Sequence, residues 1–219
     1  MDAETFRETL ETERQTELNR LGSNKLLIAL TDATLETAAV LRAAADSEHA
    51  AHGTFERWTE TESDEEARSA FAWTRDREAD HRERVLSSLA DVAGDDTAER
   101  VYEPADGGTL HEYLRGRDDT VERVAAGLVG RPLVSTRTHT QIVSFFVNEQ
   151  DAKRADLFRE LKTETTAELD RGLALLDDLC TDEDDWERAQ MVAAYVIEIA
   201  YDDYADALRG LGIDVKPVC

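Results

Sequence analysis

The run Phe71-Ala-Trp-Thr-Arg-Asp-Arg-Glu78-Ala-Asp-His81-Arg-Glu-Arg-Val85 places an acid and an imidazole where a helix should be apolar. Phe71, Thr74, Glu78, His81, Val85 and Leu89 recur at steps of three and four, the spacing of one helical face. Upstream, Leu26 to Thr61 reads as one long helix. Leu27, Leu30, Thr34, Leu41, Ala45, Glu48, His52 and Phe55 form its face. Glu48 has Leu41 and Phe55 a heptad to either side, as Glu78 has Phe71 and Val85. A carboxylate on such a seam is expensive to bury unless it is paired or bound to a metal.

Between these helices Ser63-Asp-Glu-Glu66 has the form of a capping box, so a turn is expected near residue 63. Glu48 and Glu78 each lie fifteen residues from that turn. At ~1.5 Å per residue both travel ~22 Å along antiparallel helices and arrive at one level. Glu78 with His81, and Glu48 with His52, share faces at i,i+3 and i,i+4. Four candidate metal ligands therefore converge at one depth.

The rest of the chain is also helical in pattern. Three prolines, eleven glycines and few β-branched runs favour an all-α protein, and 219 residues suit a single domain with a substantial core. Core helices are expected at about 24–61, 64–92, 135–180 and 185–210. An amphipathic helix over Ala3 to Leu21 (Phe6, Leu10, Leu18, Leu21) precedes them, packed on the bundle or contributing to a homodimer. Ala93 to Gly108 is the main irregular segment. Shorter helical pieces at 110–115 and 119–128 end at Gly130-Arg-Pro132, and a break is expected near Asn148. His111 and His139 have no patterned partner, which reads them as surface or structural histidines.

A second acidic seam contains Leu157, Leu161, Glu164, Glu168, Gly172, Leu175 and Leu179. Across a turn near Asp182, the last helix carries Met191, Ala194, Glu198, Tyr201, Ala205 and Leu208 on one face. Glu168 and Glu198 are thirty residues apart, matching Glu48 and Glu78. Glu164 or Glu149 could replace Glu168, and Asp202 is the nearest alternative oxygen donor to Tyr201.

An acid from each of two helices, with Glu-x-x-His from each of two others, is the pattern of ferritin-like di-metal proteins. With Glu48 and Glu78-Ala-Asp-His81, the chain resembles the rubrerythrin/ferritin-like superfamily, in particular small acidic haloarchaeal members without a rubredoxin domain. Glu198-Ile-Ala-Tyr201 departs from the motif by putting Tyr where the family has His. The resemblance implies a ferritin-like four-helix bundle whose long crossover falls at 93–108. It also implies iron, or manganese, at one or two ions per chain. Glu78 and Glu198 would bridge, with Glu48, Glu168 and His81 terminal. The activity implied is peroxide reduction or ferrous oxidation. The alternative is a metal-free helical interaction protein, since some proteins of this kind carry a transcription-antitermination label.

Composition bounds the partners. The chain has 49 acidic and 25 basic residues, a net charge of −24 and only four lysines. This argues against a nucleic-acid footprint and for a surface suited to high salt. No long apolar run or signal peptide is evident, so the expectation is a cytoplasmic protein without membrane contact. Cys180 and Cys219 form no Cys-x-x-Cys pair, so electrons for a redox cycle would come from a separate donor protein.

Overall fold

The computed structural model describes residues 1–93 and 104–216. Most of the expected crossover, and Cys219, lie outside them. The described residues are helical, with no strand among them. None of their helices is long and apolar enough to cross a membrane.

The expected helix over 3–21 is two, α1 (Ala3–Glu13) and α2 (Gln15–Leu21). Likewise the expected helix over 26–61 is split into α3 (Lys25–Leu30) and α4 (Thr37–Thr61). Asp32 and Ala33 between them have left-handed backbones, φ 48° and 62°. The Ala33 N–H returns to the Ile28 carbonyl at 2.8 Å, closing α3. Leu30 and Leu35 are consequently exposed.

Helix α5 (Glu65–Ala93) returns antiparallel to α4. Its cap is Asp64, whose side chain accepts the Ala67 N–H at 2.9 Å, one residue beyond the expected Ser63. Glu62 closes the turn: it accepts the Ser63 and Asp64 N–H groups and pairs with buried Arg123 at 3.0 Å.

After α6 (Gly108–Arg115), the chain runs through α7 (Thr120–Arg123), a π-helical segment Val124–Gly130, and α8 (Arg131–Asn148). Gly130-Arg-Pro132 therefore does not end a helix. In the wider π register the Arg131 N–H bonds to the Ala126 carbonyl. The next donor in that register would be Pro132, which has none, so the Gly127 carbonyl is left over. Arg131 Nε takes it at 3.2 Å, which pins the base of that side chain.

The expected break near Asn148 is present: Gln150 has φ 59°, and α9 (Ala152–Leu179) doubles back on α8. Gly172 permits a close approach, since a Cβ there would lie 2.6 Å from Leu128. Helix α10 (Glu183–Gly210) packs chiefly on the π segment, α2 and α3. It buries Trp186, Ala189, Val192, Val196, Ile197 and Tyr204 together with Ala194, Ala205 and Leu208 of the expected face, whereas Met191 is exposed and Glu198 and Tyr201 are half-buried.

The four helices that meet around the acidic residues are thus α4, α5, α8 and α9. One apolar cluster unites Leu41 and Ala45, Val85 and Leu89, Ile142 and Phe146, and Phe158 and Leu161, from those four helices in turn. A larger cluster, with Phe55, Trp58, Phe71, Leu128, Leu169 and the inner face of α10, fills the other end. Along the sequences of α4, α5 and α9, Glu48, Glu78, His81 and Glu168 fall between these two clusters.

Candidate metal centre

Glu48 on α4 and Glu78 and His81 on α5 meet in the interior. One ligand atom from each lies within 4.8 Å of the others, and all three residues are buried. The register argument supplies the reason: fifteen residues of helix on either side of one tight turn bring the two acids level.

His81 is oriented from outside. Its Nε2 is 2.7 Å from Glu164 Oε2, and Glu164 is held in turn by Arg84 at 3.1 Å. A carboxylate in that position fixes the proton on Nε2 and leaves the Nδ1 lone pair free. Nδ1 faces Glu48 Oε2 at 3.7 Å and Glu78 Oε2 at 3.9 Å, buried and without a hydrogen-bond partner. Glu164 is therefore a positioning residue rather than a member of the cluster.

Two residues that the sequence reading left aside belong to the same layer. Arg131 approaches Glu78 Oε1 at 2.8 Å and Glu168 Oε2 at 2.5 Å, a buried guanidinium between two buried carboxylates. The approach to Glu78 is not aligned as a hydrogen bond, so both Glu78 oxygens lack a donor among the described residues. His139 Nε2 lies 3.3 Å from Glu48 Oε1, and its ring is buried. His111 is buried as well, bonded through Nδ1 to Thr54 at 2.9 Å. Neither histidine is at the surface. Leu128, Arg131, Ser135, His139, Ile142 and Phe146 recur at helical spacing, so the signal that revealed Glu48 was present here too.

The electrostatics follow from burial and contact. Burial pushes Glu78 well above the ordinary carboxylate range, beyond what Arg131 offsets, and Glu168 is raised for the same reason. Burial acts on Glu48 in the same sense, but its close contacts with Glu78, His139 and His81 outweigh it and hold Glu48 well below the usual value. Burial also opposes protonation of His81, yet its contacts with Glu48 raise it overall.

The other expected ligands lie elsewhere. Glu198 is half-buried on α10 and pairs with Arg14 at 3.3 Å. Tyr201 accepts a hydrogen bond from Arg20 at 2.5 Å, and Asp202 is exposed. His52 is half-buried and joins none of the cluster's contacts, while Glu149 is exposed at the end of α8. The equal spacing of Glu168 and Glu198 carries no meaning, because α10 packs on the π segment with Glu198 outward. No second half-site forms from these residues.

As to metal fit, two carboxylates and an imidazole nitrogen, buried and short of donors, suit one hard divalent ion. They do not suit two, because Glu78 and Glu168 already share the Arg131 guanidinium. No protein-family model, curated protein or solved structure matches the chain.

Proposed function

We propose that the chain is a redox protein of ferritin-like type holding one iron or manganese ion between Glu48, Glu78 and His81. Arg131 acts as a fixed second cation in place of a second metal. The observation that carries this reading is His81: tied on Nε2 by Glu164, it presents a buried, unpartnered Nδ1 to two carboxylates.

Charge supports it. Glu48, Glu78 and Glu168 are buried against one guanidinium, leaving two negative charges, those a divalent ion would balance. Without an ion, protons must compensate, in keeping with the raised values of Glu78 and His81. A bound iron or manganese would supply one-electron exchange with oxygen or peroxide. The chain's own residues hold the ion, exclude water with the two flanking apolar clusters, and keep His81 in one tautomer. Electrons come from a separate donor protein.

The second reading is a metal-free helical interaction protein. It is favoured by the pairing of Arg131 with Glu78 and Glu168, which could by itself stabilise much of the acidic layer. Metal analysis after anaerobic ferrous loading in high salt separates the two. About one ion per chain in the wild type, lost in Glu78→Ala, is the expected result. A wild type that retains no ion supports the metal-free scaffold.

A further inference from the structure

A cleft of about 280 Å³ opens among α3, α4, α6, α8 and α10, on another side of Arg131 from the acidic layer. Leu26, Leu30, Leu110 and Val134 give it apolar walls; beside Tyr204, whose hydroxyl pairs with Ser23 at 3.3 Å, the buried polar side chains that line it are His111 and Arg131. Both carry unused hydrogen-bonding capacity. Thr54 Oγ1 donates to the Ala50 carbonyl at 2.9 Å, so His111 Nδ1, 2.9 Å from the same oxygen, is the donor of that pair. Burial draws His111 down to about 3, so the ring is neutral at physiological pH and Nε2 carries a lone pair. Nε2 has no hydrogen-bond partner among the described residues. Of the five N–H bonds of Arg131, hydrogen bonds to Gly127 and Glu168 use two, and Nη1 faces Glu78 without an aligned bond.

We propose that this cleft binds a small, mostly apolar molecule bearing one hydroxyl group, an alcohol or phenol, which donates to His111 Nε2 and accepts from Arg131. A hydrocarbon would leave both groups unpaired. An anion would meet Asp46 and Asp203 in the lining and a guanidinium already facing two carboxylates, and a cation would meet that guanidinium directly. The site is independent of the metal reading, since neither residue is a candidate ligand. Its failure and that of the metal centre are separately visible.

The test is titration of the metal-free protein with 1-naphthol, naphthalene and 1-naphthoate, read by fluorescence and by the His111 ring resonances. The wild type should bind 1-naphthol saturably, about three- to tenfold more tightly than naphthalene, as one net hydrogen bond implies. His111→Phe should erase that preference, and Ala200→Trp, which fills the cleft, should abolish binding of both. Absence of saturable 1-naphthol binding, equal affinity for naphthalene, or preference for 1-naphthoate overturns the proposal. So do His111 resonances that stay fixed as 1-naphthol is added, a readout that needs no variant.

Discussion

Arg131 Nη1 stands 2.8 Å from Glu78 Oε1, deep between helices, and this pair sets how many cations the acidic layer can take. The guanidinium is anchored by a local accident of sequence: Pro132 supplies no N–H for the Gly127 carbonyl, so Arg131 Nε does. In Arg131→Met the buried carboxylates lose that partner. Removing one member of such a pair destabilises by roughly 3–5 kcal/mol, because it strands the other charge. Thermal unfolding without metal should show that loss, and added Mn(II) should recover more stability in the variant than in the wild type. Equal metal-induced shifts in the two proteins would contradict the fixed-cation role.

Glu164 and Glu198 make a paired test of the site's extent. Glu164→Gln weakens the acceptor that holds His81, and loss of such a partner typically costs 10–100-fold in metal affinity. Glu198→Gln changes only a half-buried pair with Arg14, away from the cluster, and should leave metal affinity unchanged. Dissociation constants for Mn(II) from competition with a chelator check both. A loss in Glu198→Gln would restore the half-site that the fold does not form.

The pattern of what the sequence revealed follows from geometry. Glu48, Glu78 and His81 were legible because one short turn joins long uninterrupted helices, so counting residues is measuring distance. The same counting failed for Glu198, because α10 buries Val192, Val196 and Ile197 as well as Ala194, Ala205 and Leu208, so spacing alone does not say which way Glu198 turns. Arg131 was missed because Gly130-Arg-Pro132 looks like a terminator, and His139, beyond it in the expected helix, was read as having no patterned partner. Ending the helix there cut in two a face on which Leu128, Arg131, Ser135, His139 and Ile142 continue at steps of three and four. The helix break at residues 31–36 was hidden for a related reason: Leu27, Leu30 and Thr34 continue the spacing, although Leu30 ends up in solvent.

His111 predicts an acid limb to stability. Burial lowers it to about 3 in the folded protein, against about 6.5 in an unfolded chain. Between those values the unfolded chain binds the extra proton, so this stabilisation is complete above about pH 6.5 and declines as pH falls toward 3. Denaturant unfolding as a function of pH should show a shallower acid slope for His111→Phe than for the wild type. Direct NMR titration of a His111 ring with an ordinary value would contradict its burial.

Gly172 tests the packing of α9 on the π segment. A methyl group there would sit 2.6 Å from both the Leu128 carbonyl oxygen and Cβ, and backbone cannot yield as a flexible side chain does. Gly172→Ala should therefore lose roughly 1–3 kcal/mol of stability despite the better helix propensity of Ala. Urea unfolding measures it, and an unchanged or raised midpoint would mean that the helices are not this close.

The most direct measurement is an anomalous difference map from crystals soaked anaerobically in Mn(II). The account predicts one peak per chain, bonded to His81 Nδ1 and to oxygens of Glu48 and Glu78, with Arg131 still spanning Glu78 and Glu168. No peak among those three residues, or two peaks with Arg131 displaced, would contradict it.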